Sequence, residues 1–289
     1  MAIPDKLIDG IQRLDPLPFT VQKLTAAMQD ENVPFQEIAA ILEYDGAVAA
    51  NVLKVANSGA YGGRFRTETV RDAVVRLGTA NLLNIVLGDH LHSLRTSALL
   101  YDLTENDFWL HGAASSLAVK AMIAETKRSL IPQTASVAAL LHDIGKLVIS
   151  RYMRVESSAI LAVAEQKKIP FVEAEQELFG SDHTEVGGEI ARRWHFPADI
   201  ARAIASHHDA SNDSTEPLTD AVMLANLAAK SLGAGMGADG MNFRIDYSRS
   251  REKLGLTVEA FERACAQASI WLNELRKLKK TRDDRPGVR

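Results

Sequence analysis

The stretch LLHDIGKL, Leu140 to Leu147, sets a histidine and an aspartate side by side among leucines. An imidazole nitrogen and a carboxylate are both ligands for a divalent cation. On a helix, His142 and Asp143 point about 100° apart and share one cavity at its rim. Lys146 follows at i+4 from His142 and i+3 from Asp143, on the same face. An ammonium there would neutralise Asp143 or meet a phosphate. Further histidines come at long spacings: His111 in FWLHGAASSLAVKA, His183 in GSDHTEVGGEIARRW, and the adjacent His207 and His208 in IARAIASHHD. Asp107 lies four residues before His111 and points the same way. Histidines scattered over several helices are the sequence form of a metal site in a bundle core. A single histidine beside an apolar run is usually a packed residue. The order H, HD, H, HH is not explained that way. His195, in WHFP, reads instead as a helix end before Pro197, a structural residue.

The elements that must position these groups read as helices. In PFQEIAAILEYDGAVAANVLKVANS, Ile38, Ile41, Leu42, Val48, Val52 and Leu53 recur at helical spacing. In TETVRDAVVRLGTANLLNIVLGDHL, Gly78 breaks the pattern and Thr79 can cap the helical run after it. Alternation is nearly absent; KIPFVEAE could extend for a few residues before helical pattern returns. The reading is all-α, with an N-terminal helical bundle packed on a C-terminal one. A boundary falls near residues 93–106, where periodicity fades and Thr104 to Asp107 form a capping stretch. This gives an N-terminal subdomain over 1–97 and a C-terminal one over 98–289. Most of the candidate chemistry lies in the second. Gly235, Gly237 and Gly240 spell G-x-G-x-x-G, but a helix precedes them and a polar loop comes after, the reverse of a dinucleotide site. The tail RKLKKTRDDRPGVR reads as a helix end fraying into disorder. No internal repeat is visible.

Bulk composition sets the outer bounds. The 289 residues carry 46% hydrophobic and 24% charged side chains, ordinary for a globular protein with ample core. A net charge of −4 argues against broad binding to nucleic acid. Cys265 is the single cysteine, so no intrachain disulfide exists, which fits a reducing compartment. The start MAIPDKLIDGIQRLDPLP has no apolar signal-peptide core, and no run approaches the roughly 18 apolar residues of a transmembrane helix. The expectation is a cytoplasmic protein.

The order H, HD, H, HH resembles the HD superfamily of metal-dependent phosphohydrolases. The likeness is closest to its HD-GYP branch, which hydrolyses cyclic di-GMP. It is specific in LLHDIGK, HTEVG and AIASHH. It implies metal-ligand positions at His111, His142, Asp143, His183, His207 and His208, an additional acidic ligand at Asp107, and a phosphate contact at Lys146. Two departures stand out. After His208 the chain reads DASNDSTEPLTD, without the HHExxDGxGYP signature. The family's last aspartate aligns with Asn226, a neutral oxygen where an anion is expected; Asp220 lies six residues earlier, out of helical phase. The first hundred residues resemble the HDOD family of HD-related output domains. LDPLPFTVQKLTAAM, IAAILEYDGAVAANVLKVANSGAYG and VRDAVVRLGTANLLNIVL carry that likeness, from about Leu14 to residue 232. In VLKVANSGAYG, Asn57 and Ser58 end a helix, and Gly59, Gly62 and Gly63 allow a tight reversal. Asp45-Gly46 stands where the family usually has Asp-Pro.

The HDOD resemblance implies a bacterial signalling and regulatory module that acts through protein partners. The ligand set allows a divalent metal (iron, manganese or zinc) and a nucleotide ligand. The alternative is a metal-dependent phosphohydrolase acting on a nucleotide or cyclic dinucleotide, with Asp143 bridging two ions. A DNA-binding reading rests only on the helix–break–helix look of VPFQEIAAILEYDGAVAANVLKVA, and such periodicity is usually core packing. Membrane binding has no support.

Overall fold

The computed structural model describes residues 3–27, 33–59, 61–62, 65–93, 104–126, 130–153, 157–209, 216–235 and 247–283. Among them are fifteen helices and no strand. The first five are α1 (Asp5–Gln12), α2 (Phe19–Ala27), α3 (Phe35–Glu43), α4 (Gly46–Ala56) and α5 (Val70–Ser93). Next come α6 (Glu105–Glu125), α7 (Ala135–Leu141), α8 (Gly145–Met153), α9 (Ser157–Lys167) and α10 (Phe171–Phe179). The last are α11 (His183–Arg193), α12 (Ala198–Ser206), α13 (Pro217–Ser231), α14 (Ser248–Lys253) and α15 (Val258–Asp283).

The apolar spacing read from sequence is the spacing that is buried. Val21 and Leu24 of α2, Ile38 and Leu42 of α3, Val52 of α4, and Leu82, Leu83 and Leu87 of α5 are withdrawn from solvent. Asp45 breaks the run between α3 and α4 by capping α4, accepting from the amides of Ala47 (2.9 Å) and Val48 (3.2 Å). Gly78 interrupts α5 with φ 71° and ψ 161°, a conformation that only glycine adopts easily. KIPFVEAE contributes no strand: Phe171 opens α10.

The second half is built around α7, whose seven residues are all buried. It packs against α5, α6, α12 and α13. A helix apolar at every position but Ser136, which bonds to Asn84 and Gln133 O, belongs in a core. The small residues expected to allow close packing around His111 do so at Gly112, where a Cβ would lie 2.6 Å from the carbonyl oxygen of Leu140. Two elements tie the halves together. α1 runs across to pack on α8 and α11, and α15 lies along α6. The VLKVANSGAYG turn meets α15, since a Cβ on Gly59 would strike the carboxylate of Glu274. Gly59 and Gly62 therefore serve close approach. Neither has a positive φ, so the backbone freedom expected of them there is not what the turn uses. Gly63, Gly237, Gly240 and the end of the tail lie outside the described residues, as does most of 93–106.

Candidate metal centre

His142 and Asp143 do not lie within a helix. α7 ends at Leu141 and α8 begins at Gly145, so the pair occupies the sharp turn between them. This corrects the helical expectation. Apolar residues continue on both sides of the pair because both flanking helices are buried there. His142 is the C-cap of α7, and its Nδ1–H donates to the carbonyl of Ala139 at 2.8 Å. That oxygen is one of those left unsatisfied at any helix end. His207 repeats the device. It caps α12, and its Nδ1–H donates to Ile204 O at 2.7 Å. In both, a local helix-end bond fixes the tautomer and turns Nε2 outward.

His111, on α6, reaches the same state through a long-range partner. Its Nδ1–H donates to Ala234 O at 2.8 Å. That carbonyl is delivered by the end of α13, where Gly233 (φ 64°) closes a Schellman motif through Gly233 N to Lys230 O and Ala234 N to Ala229 O. His183 opens α11 behind its N-cap Asp182, which accepts from the amides of Thr184 and Glu185. Its Nδ1–H donates to Glu175 Oε2 at 2.6 Å, and its own amide donates to the same oxygen at 3.1 Å. Glu175 is a residue that the sequence reading missed. It is fully buried on the same face of α10 as Phe171, Ala174 and Phe179. A carboxylate on an apolar stripe was the available signal.

Carbonyls and carboxylates only accept, so all four rings carry their proton on Nδ1 and present a bare Nε2. Those four nitrogens surround Asp143. On the Oδ2 side stand His142 Nε2 at 3.5 Å and His111 Nε2 at 3.7 Å. On the Oδ1 side stand His183 Nε2 at 3.4 Å and His207 Nε2 at 3.7 Å. Asp143 thus belongs to two potential ligand groups, one with His111 and His142, the other with His183, His207 and the half-buried His208. Lys146 Nζ meets Asp143 Oδ2 at 2.9 Å, taking the neutralising role.

Lone pairs facing one another across a buried space repel unless a cation lies between them. His111 Nε2 and His142 Nε2 are 3.2 Å apart. The buried Asp143 Oδ1, His183 Nε2 and His207 Nε2 have no hydrogen-bond partner. Burial pushes His111, His142 and His207 down, so they are held neutral, as ligands must be. Burial acts the same way on His183, but the carboxylates of Glu175 and Asp143 together outweigh it and raise that imidazole. Burial alone would push Asp143 up; His142 and Lys146 hold it well below the usual carboxylate range. The donor set fits a divalent cation.

Other expected residues fall elsewhere. Asp107 receives the Thr104 hydroxyl at 2.6 Å and its amide donates to the same hydroxyl, so it helps cap α6 and joins neither ligand group. Asn226 is buried on α13 with its Oδ1 unpartnered. Asp220 accepts from Ser250 Oγ at 2.6 Å and faces Lys253, away from the histidines. His195 is exposed with φ 57°, closing α11 through bonds from His195 N to Arg192 O and Phe196 N to Ala191 O.

A family model described as the HDOD domain matches residues 14–210. The chain belongs to the HDOD family. Among solved structures, an HDOD domain protein of unknown function from Geobacter sulfurreducens is 24% identical, with TM-score 0.69 over 94% of this chain and 92% of that one. A protein of Marinobacter aquaeolei VT8, provisionally described as a signal transduction protein, is 20% identical, with TM-score 0.71 over 95% of this chain and 64% of that one. One from Shewanella amazonensis SB2B, provisionally described as a phosphohydrolase, is 22% identical, with TM-score 0.61 over 91% and 98%. At these identities the likeness shows the all-α HDOD fold. An uncharacterised protein of Treponema pallidum (strain Nichols) is 23% identical over 230 residues, 78% of this chain. The chain spans only 44% of that relative's length. No helix among the described residues is long and apolar enough to cross a membrane.

Proposed function

We propose that this HDOD chain is a signalling module that acts through protein partners and holds one divalent cation in its HD-type site. The observation that carries the reading is the convergence of Asp143 Oδ1, His183 Nε2 and His207 Nε2, all buried and without hydrogen-bond partners. With His208 they make four donors, the number a tetrahedral site uses. The charge balance favours one ion. Asp143 is the only carboxylate in either ligand group, and Lys146 already places a positive charge against its Oδ2. A second divalent ion would add two charges where a cation stands. Imidazole-rich ligation suits iron or zinc better than magnesium or calcium. The bound ion would supply Lewis acidity, and Lys146 would hold the Asp143 carboxylate in place. The partner-mediated part is supported by Phe19, Phe35, Tyr44 and Phe65, large aromatic rings exposed on the N-terminal bundle.

The test is elemental mass spectrometry on protein purified without chelator, beside a His142→Ala, Asp143→Ala variant. The expected result is close to one equivalent of iron, manganese or zinc, absent from the variant. Both proteins folded and metal-free would overturn the reading. A phosphohydrolase is the second reading, favoured by Asp143 offering one oxygen to each ligand group. It predicts two equivalents of metal and phosphodiester hydrolysis that rises in Asn226→Asp. One equivalent and no hydrolysis in that variant would exclude it.

A further inference from the structure

We infer that the cleft between α1 and α8 is a binding site for a small molecule carrying two or more phosphate groups, a nucleoside diphosphate or triphosphate by size. A cavity of about 570 Å³ there is lined by Lys6, Arg13, Arg151 and Tyr152. That volume is in the range of small-ligand sites. Among the described residues that line it, three of four side chains are cations and none is a carboxylate, in a chain of net charge −4. Among the described residues, no carboxylate pairs with Lys6, Arg13 or Arg151. A fourth cation, the guanidinium of Arg193, sits alongside, donating to Gln12 O at 3.1 Å.

Helix ends explain only part of this. Arg13 caps α1 and Arg151 lies in the last turn of α8, where a cation answers the helix dipole. Lys6 is in the first turn of α1, where a cation opposes it. Its spacing is informative: Lys6, Gly10 and Arg13 fall at i, i+4 and i+7, along one stripe of α1. Gly10 leaves room for the ring of Tyr152, which a Cβ would meet at 2.6 Å. The stripe is therefore cation, ring, cation, with Arg151 adjoining the ring at 5.8 Å from its centroid. Lys6 and Arg13 are separated by roughly 10 Å along the helix. One phosphate cannot sit on both positions, whereas a diphosphate or longer chain spans them. The Tyr152 ring offers a stacking face for a base.

The experiment is isothermal titration calorimetry of the full chain with inorganic pyrophosphate and, separately, ATP. Asp143→Asn serves as the control for phosphate binding at the metal centre. Both probes are expected to bind wild type and Asp143→Asn alike, and at least tenfold more weakly to Lys6→Glu, Arg151→Glu. ATP is expected to bind more tightly than pyrophosphate, and Tyr152→Leu to remove that difference. Absence of binding overturns the inference. So does binding that survives the double charge reversal, or that is lost in Asp143→Asn. Circular dichroism checks helix content; if the reversal unfolds the chain, the neutral pair Arg13→Gln, Arg151→Gln carries the same expectations.

Discussion

At the scale of single residues, the centre is organised by what sits behind each imidazole. Three of the Nδ1–H groups donate to backbone carbonyls and one to a carboxylate, Glu175. The carboxylate is the distinctive one, because a charged acceptor makes His183 Nε2 a stronger donor to a metal. Glu175→Gln keeps an oxygen to accept both His183 bonds and removes the charge. Metal affinity is expected to fall roughly 10–100-fold, as for other residues that support a ligand from behind. Chelator competition at fixed pH measures it; an unchanged affinity with the helical signal intact would sink the role. The ligand types were legible in sequence because His and Asp in the order H, HD, H, HH carry chemistry in their identity. Glu175 was not, because KIPFVEAE looks β-rich until α10 is seen to bury one face.

At the scale of elements, the centre depends on how closely α8 can approach α11. Gly145 begins α8, and a Cβ there would lie 2.0 Å from the carbonyl oxygen of His183 and 2.8 Å from Gly187 N. Backbone cannot yield as a side chain can. Gly145→Ala must therefore push α8, and with it the turn that carries Asp143, away from α11 and His183, at a cost of about 1–3 kcal/mol. The expected outcome is a lower urea midpoint together with lost metal. Gly88→Ala is the contrast. Gly88 lies in α5 and a Cβ there meets nothing within 4 Å. This variant should gain roughly 0.5–1 kcal/mol through helix propensity and keep its metal. The helices themselves were legible from their apolar period. The turn between α7 and α8 was not, since its polar residues, His142 and Asp143, read as site residues and not as a break in a helix. Only Gly145 marks it, and its reason is a contact with residue 183, which no local pattern contains.

At the scale of the whole molecule, α15 and α6 hold the N-terminal signature turn through one half-buried cation. Lys120 Nζ lies 3.3 Å from the Tyr61 ring centroid and 4.3 Å from that of Trp271. This joins the turn after α4, the middle of the fold and the last helix. Burial lowers Lys120 from 10.5 to about 8. The unfolded chain, with its ordinary lysine, holds the proton over that interval while the folded chain releases it. Stability linked to Lys120 therefore rises as pH increases from about 8 towards 10.5, and is smallest below 8. Cys265 acts in the opposite sense, because burial raises its thiol to about 11. Tyr61, raised to about 12, stays protonated throughout. Comparing wild type with Lys120→Met isolates the lysine, since Cys265 contributes equally to both. The unfolding free energy of wild type relative to Lys120→Met should increase between pH 7.5 and pH 9.5, the interval set by the lowered value of about 8. Urea titrations at the two pH values measure it. A difference that stays flat or shrinks would mean that the two rings stabilise the ammonium enough to cancel its desolvation.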